Sequence, residues 1–220
     1  MFGGLWEASG LARYHYLAPS GYDLYSTGVN ESWIYAYIER DGENKPTASV
    51  SVDSEHAQRL RSLQWLEIPD IQQRHRDGWI NLVAGRLKPA FAQTEGATLL
   101  RRSCQWHFDS LCGSNHLLQF VQATVAVEIL LGDKAASDVI GLGELLANRC
   151  AYSLAKTADE RQALLKTFRD IYSTRSQIVH RGKAALSDRE TEQLYDLMTL
   201  GRRIIHKELE LMRDPRGGTK

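Results

Sequence analysis

The residues best suited to chemistry in this chain are Arg175 and His180, in the segment Tyr172-Ser-Thr-Arg175-Ser-Gln-Ile-Val-His180-Arg-Gly182. A histidine with a pKa near neutrality can take or give a proton, and an arginine can hold a phosphate and neutralise charge growing on its oxygens. Together they suit metal-free cleavage of RNA, in which the 2′-hydroxyl attacks the adjacent phosphodiester. DNA lacks that internal nucleophile. Five residues along an ideal helix give a rise of about 7.5 Å and a rotation of about 140° beyond one turn. The two side chains therefore do not share a helix face. Joint action on one phosphodiester needs either a loosened helical turn near Gly182 or a second copy of the helix, supplied by a two-fold homodimer.

The element that positions them is read from the apolar positions Leu164, Leu165, Phe168, Ile171, Tyr172, Ile178 and Val179, which recur at three- and four-residue spacing and mark one buried helix face. Arg175 falls where the stripe calls for another apolar residue, and an arginine in such a place is paired or used. Thr157-Ala-Asp-Glu160 has capping-box spacing at the start of this helix, and Gly182 is a stop signal. Ser187-Asp-Arg-Glu190 opens a final amphipathic helix, with Leu194, Leu197, Met198, Ile204, Ile205 and Met212 on one face. Upstream, helices are expected over 55–66, 71–91, 97–111, 117–131 and 141–154, the fourth almost wholly apolar and ended by Gly132. Gly78, Gly85 and Pro89 weaken the second. The first third reads instead as short strands, at Tyr22-Asp-Leu-Tyr25, Trp33-Ile-Tyr-Ala-Tyr-Ile38 and Thr47-Ala-Ser-Val-Ser-Val52, with a hairpin turn over 41–46. The expected architecture is mainly α, a helical bundle with a small N-terminal antiparallel β element (α+β overall). Its parts are a β-rich region 1–53, a helical connection 54–96, a bundle 97–213 and a flexible tail 214–220.

Composition narrows the field. In 220 residues, 27 basic and 27 acidic side chains cancel to a net charge of zero, yet the stretch 161–220 carries 13 Lys and Arg against 8 Asp and Glu. That end is the better face for a polyanion. Cys104, Cys112 and Cys150 are an odd set with no CxxC spacing, which argues against a disulfide framework and a zinc site and fits a reducing cytoplasm. No metal and no cofactor is called for. There is no secretory leader pattern, and no apolar run reaches the roughly 18 residues of a membrane span.

Arg175-Ser-Gln-Ile-Val-His180 resembles the Arg-x4-6-His motif of the HEPN superfamily, and the chain from Leu99 to Met212 is similar to its ApeA-like branch. There an apolar helix with an embedded glutamate, here Val125-Ala-Val-Glu128-Ile-Leu-Leu-Gly132, precedes a helix ending in Tyr-x-x-Arg-Ser-x-Ile-Val-His. The resemblance implies a HEPN-like bundle and a metal-independent endoribonuclease of a prokaryotic defence or toxin-type system. It also implies a homodimer with a composite site, with RNA as substrate and an antitoxin or regulatory protein as a possible partner. Arg175 and His180 would be catalytic, with Ser176 and Glu128 supporting. Arg181, Lys183 and Tyr172 would contact substrate. Where the family often has Asn, Asp or His after the arginine, this chain has Ser176, which keeps a hydrogen-bonding group without charge. The alternative within the family is a catalytically inactive module that binds RNA or nucleotide or mediates protein assembly.

Each residue has a structural reading beside the chemical one. Arg175 and Glu128 can form an ion pair inside the bundle, and His180 can act only as a cation at a helix C-terminus. Arg181 and Lys183 can be solvated cap-region charges, and Tyr172 a core aromatic with a wet hydroxyl. His107 and His206 carry no assigned role.

Overall fold

A computed structural model describes residues 12–14, 32–40, 43–65 and 73–213. The expected strand at 22–25 and the tail 214–220 lie outside the described residues. Three strands, β1 (Ala12–Tyr14), β2 (Ser32–Arg40) and β3 (Glu43–Val52), precede helix α1 (Ser54–Ser62) and strand β4 (Leu63–Trp65). β2 runs antiparallel to β3, from Ser32 opposite Val52 to Arg40 opposite Glu43, and β1 pairs antiparallel with β4. The hairpin connection is tighter than the expected turn over 41–46, because Asn44, Lys45 and Pro46 join the pairing. A register shift between Ala36 and Tyr37 accommodates the proline, which has no N–H to give the ladder. The first expected helix also ends early. Residues 63–65 pair with β1 instead of continuing it, a long-range choice that local propensity does not carry.

The rest of the described chain is helical: α2 (Gln73–Leu87), a 3-10 turn (Lys88–Phe91), α3 (Glu95–Leu111), α4 (His116–Leu131), α5 (Lys134–Ile140), α6 (Leu142–Leu154), α7 (Ala158–Arg181) and α8 (Asp188–Arg213). The short α5 was not expected. It starts on an Asp133 cap, whose carboxylate accepts from the Ala136 N–H, and ends at Gly141 with φ +81°. Local caps explain the other boundaries. Thr94 accepts from Ala97 N–H, Asn115 from Leu118 N–H, and Thr157 from Glu160 N–H, each satisfying a donor that has no partner in a first helical turn. Glu190 accepts from both the Ser187 N–H and hydroxyl, and Gly182 closes α7 in the left-handed region at φ +61°.

Phe120, Phe168, Ile171, Leu194, Leu197 and Ile204 are fully buried where α4, α6, α7 and α8 meet. A second cluster, with Val83, Leu87, Ala90, Leu100 and Leu209, seats α2 and the 3-10 turn on α3 and α8. Cys104, Cys112 and Cys150 are all buried, and none is in a disulfide among the described residues. Among the described residues no helix is long and apolar enough to cross a membrane.

Candidate functional site

Helix α7 is locked into the bundle by Leu165, Phe168, Ile171 and Thr174, which are its buried positions. Thr174, not Arg175, is the polar residue that the stripe takes inside. It is 4% exposed, and its hydroxyl donates to Gln193 Oε1 of α8 at 2.7 Å. Arg175, one position and about 100° further round, sits at the edge of the buried face, with its side chain 19% exposed. Two surface ion pairs flank this seat. Arg169 makes two contacts to Glu144 of α6 at 2.8 and 2.9 Å, and Arg189 of α8 reaches Asp170 at 3.3 Å.

Arg175, Glu128 and Tyr172 form one cluster across α4 and α7. An Arg175 terminal nitrogen lies 3.4 Å from Glu128 Oε1, and its guanidinium carbon lies 5.6 Å from the centre of the Tyr172 ring. The Tyr172 hydroxyl lies near the Glu128 carboxylate. Burial pushes the Glu128 carboxyl up, against the pull of the Arg175 charge and the Tyr172 hydroxyl. Burial, followed by the charge of Glu128, likewise raises the Tyr172 hydroxyl. Glu128 Oε1 and Arg175 Nε are shut from solvent and make no hydrogen bond among the described residues. The arginine is thus held by one long ionic contact and an aromatic face, with hydrogen-bonding capacity left over.

Gly143 makes this seat possible. A Cβ at that position would lie 2.6 Å from Tyr172 Cδ1 and 3.0 Å from Cε1, so only glycine lets α6 approach the ring. Neither Gly143 nor Gln193 was identified from the sequence. A glycine in the first turn of a helix and a glutamine on an amphipathic one carry no signal until a neighbour is known.

His180 is exposed in the last turn of α7, and Ser176 and Arg181 are exposed as well. Lys183 is half-buried, its Nζ 3.0 Å from Glu190 Oε1, which ties the connection after Gly182 to the first turn of α8. Val179, beside the histidine, leaves 45% of its surface open. The helix remains α through Arg181, so of the two alternatives the loosened turn near Gly182 does not occur. Continuous hydrogen bonding keeps Arg175 and His180 about 140° apart around the axis. The structure therefore brings Arg175, Glu128 and Tyr172 together and leaves His180, Ser176 and Arg181 outside that cluster within one chain. Among the described residues no group of three or more His, Cys, Asp or Glu side chains is arranged to hold a metal ion.

Comparison with protein-family models, with curated proteins and with solved structures returns no match.

Proposed function

We propose that this chain is a HEPN-type endoribonuclease, a helical bundle with a small N-terminal antiparallel β element, which cleaves RNA without a metal by 2′-hydroxyl transesterification. In this reading it is a cytoplasmic homodimer of a prokaryotic defence or toxin-type system, restrained by an antitoxin or regulatory protein. The observation that carries the proposal is the state of Arg175. Glu128 and Tyr172 fix it in place, yet its one ionic contact is 3.4 Å long and 19% of its side chain stays open to solvent. An arginine so oriented and so little satisfied is prepared to bind an anion with little reorganisation. A phosphodiester oxygen is such an anion.

His180 supplies the proton-transfer group, from an exposed position at the end of an unbroken helix. Since that helix separates the pair angularly, the two functions come from different copies, Arg175 of one chain acting with His180 of the other. The open apolar surface of Val179 beside His180 suits such an association. Arg181 and Lys183 add positive charge near the substrate path, and Ser176 offers a hydroxyl next to the arginine.

The test is RNA cleavage in excess chelator by the wild type, Arg175→Ala and His180→Ala. Cleavage by wild type that drops at least about a hundredfold in each variant supports the reading. Equal cleavage by all three overturns it. The Arg175–Glu128 contact also favours a second reading, an inactive module that binds RNA or nucleotide or mediates assembly, in which the pair is architectural. That reading predicts RNA binding or complex formation by wild type with no products at any enzyme concentration.

A further inference from the structure

The N-terminal part of the described chain touches the bundle through a histidine set between two carboxylates. His56, in the first turn of α1, places Nε2 2.9 Å from Asp109 Oδ1 near the C-terminal end of α3. Its Nδ1 lies 2.6 Å from Asp53 Oδ2, an ionic contact out of line for a hydrogen bond, and its main-chain N–H donates to Asp53 Oδ1 at 3.0 Å. The ring leans on Phe108 at 5.8 Å between centroids, tilted by 51°. Alongside, the Glu55 carboxylate covers Gly113 in the turn from α3 to α4, where φ is +81° and a Cβ would come within 2.7 Å of Oε2. The α1 residues thus lie over the α3–α4 turn.

The proton count of this arrangement is decisive. An ionised carboxylate only accepts hydrogen bonds, while a neutral imidazole has one N–H and one bare nitrogen. Facing carboxylate oxygens at under 3 Å on both sides, a neutral ring would set a lone pair against an anion at one of them. Two carboxylates this close favour the imidazolium.

We propose that Asp53, His56 and Asp109 form a proton-tuned latch: with both ring nitrogens protonated the charged His56–Asp109 contact holds α1 on the α3–α4 turn, and loss of one proton weakens it. Among the described residues, the charged and titratable groups near the ring are Asp53, Glu55 and Arg59 from α1 and its cap, and Asp109 and Cys112 from the end of α3. His107 lies one helical step away. Burial drives His107 down to about 4 and Cys112 up to about 12, so neither changes state between acidic and mildly alkaline pH. Cys112 also donates its thiol to Phe108 O at 3.2 Å and is no nucleophile for the histidine to activate. The His56 main-chain N–H, followed by its ring, holds the Asp53 carboxyl below its ordinary value. Partial burial disfavours the His56 cation, but the contacts to Asp109 and Asp53 outweigh it and raise the ring above 6.5. A group raised on folding gives its full stabilisation below its unfolded pKa, and that stabilisation is lost as pH rises through the folded one. The latch is therefore tightest in mild acid and loosens on the alkaline side.

Hydrogen exchange over 54–62 tests this in the intact chain, with rates corrected for the chemical effect of pH. Protection in wild type should fall about threefold to tenfold between about pH 6 and about pH 8.5, the scale of one partly exposed charge-assisted hydrogen bond. Peptides from α7 and α8 should stay constant over the same range. His56→Gln and Asp109→Asn should show low protection at both ends. A flat wild-type profile, or the same fall in His56→Gln, would overturn the latch. Ring 15N shifts of wild-type His56 give a check that needs no variant: both nitrogens carry protons at about pH 6.5 if the latch exists, and a neutral tautomer there rules it out.

Discussion

The two halves of α7 are built for different ends. The first buries Leu165, Phe168 and Ile171 and is tied by Arg169 and Asp170 to α6 and α8. The second begins where Thr174 takes the last buried place and then turns outward, leaving Ser176, Val179, His180 and Arg181 exposed. Arg175 sits at the border, oriented by Glu128 and Tyr172 but only weakly satisfied by them. The contrast teaches that the rigidity a site needs is supplied by one half of a helix, while the other half carries side chains the fold itself does not require.

The contrast breaks most visibly on stability. Phe168→Ala opens a cavity at a fully buried position and should cost about 3–5 kcal/mol in urea unfolding. A cost near zero would mean the first half is not the anchor. Gly143→Ala forces a methyl into the Tyr172 ring and should cost about 1–3 kcal/mol. It should also lower RNA cleavage by shifting the seat of Arg175 without touching His180. Arg175→Ala leaves Glu128 half-buried without its counter-charge, and about 1–2 kcal/mol is expected, reduced from a fully buried pair by the remaining exposure of both side chains.

A pH profile sharpens the same point. The Glu128 carboxyl is raised on folding, so its ionisation opposes the fold: stability falls as pH climbs from the ordinary 4.5 through the folded value. Arg175→Ala should steepen that fall, and Glu128→Gln should remove it; a slope unchanged in both would separate the two side chains energetically. At the small end, His180→Ala should shift unfolding by less than about 0.5 kcal/mol, as an exposed side chain with no structural duty does.

The sequence was most informative where the physics is local. The caps at Thr157 and Ser187, the stop at Gly182 and the spacing of Leu165, Phe168 and Ile171 depend on residues within a turn or two, and each is seen in the folded chain. The pairing of Arg175 with Glu128 was also within reach, since each charge interrupts an apolar sequence pattern and needs a partner. What was hidden depends on distant neighbours. Residues 63–65 leave the helical pattern to pair with 12–14, Gly143 matters only because Tyr172 lies against it, and His56 becomes notable only beside Asp109. The stripe also misassigned one place, giving Arg175 the inward position that Thr174 occupies. A threonine whose hydroxyl meets Gln193 is as well buried as an aliphatic residue, and periodicity alone does not distinguish adjacent positions at the edge of a face.

The most direct test of the central claim, that Arg175 of one chain works with His180 of another, is complementation between inactive variants. Arg175→Ala and His180→Ala chains carrying different tags are co-expressed, and the doubly tagged species is isolated and assayed for RNA cleavage in excess chelator. The account predicts two inactive single-variant preparations and a mixed dimer that regains a substantial share of wild-type activity. An inactive mixed dimer, or a chain that remains monomeric while cleaving RNA, would contradict it.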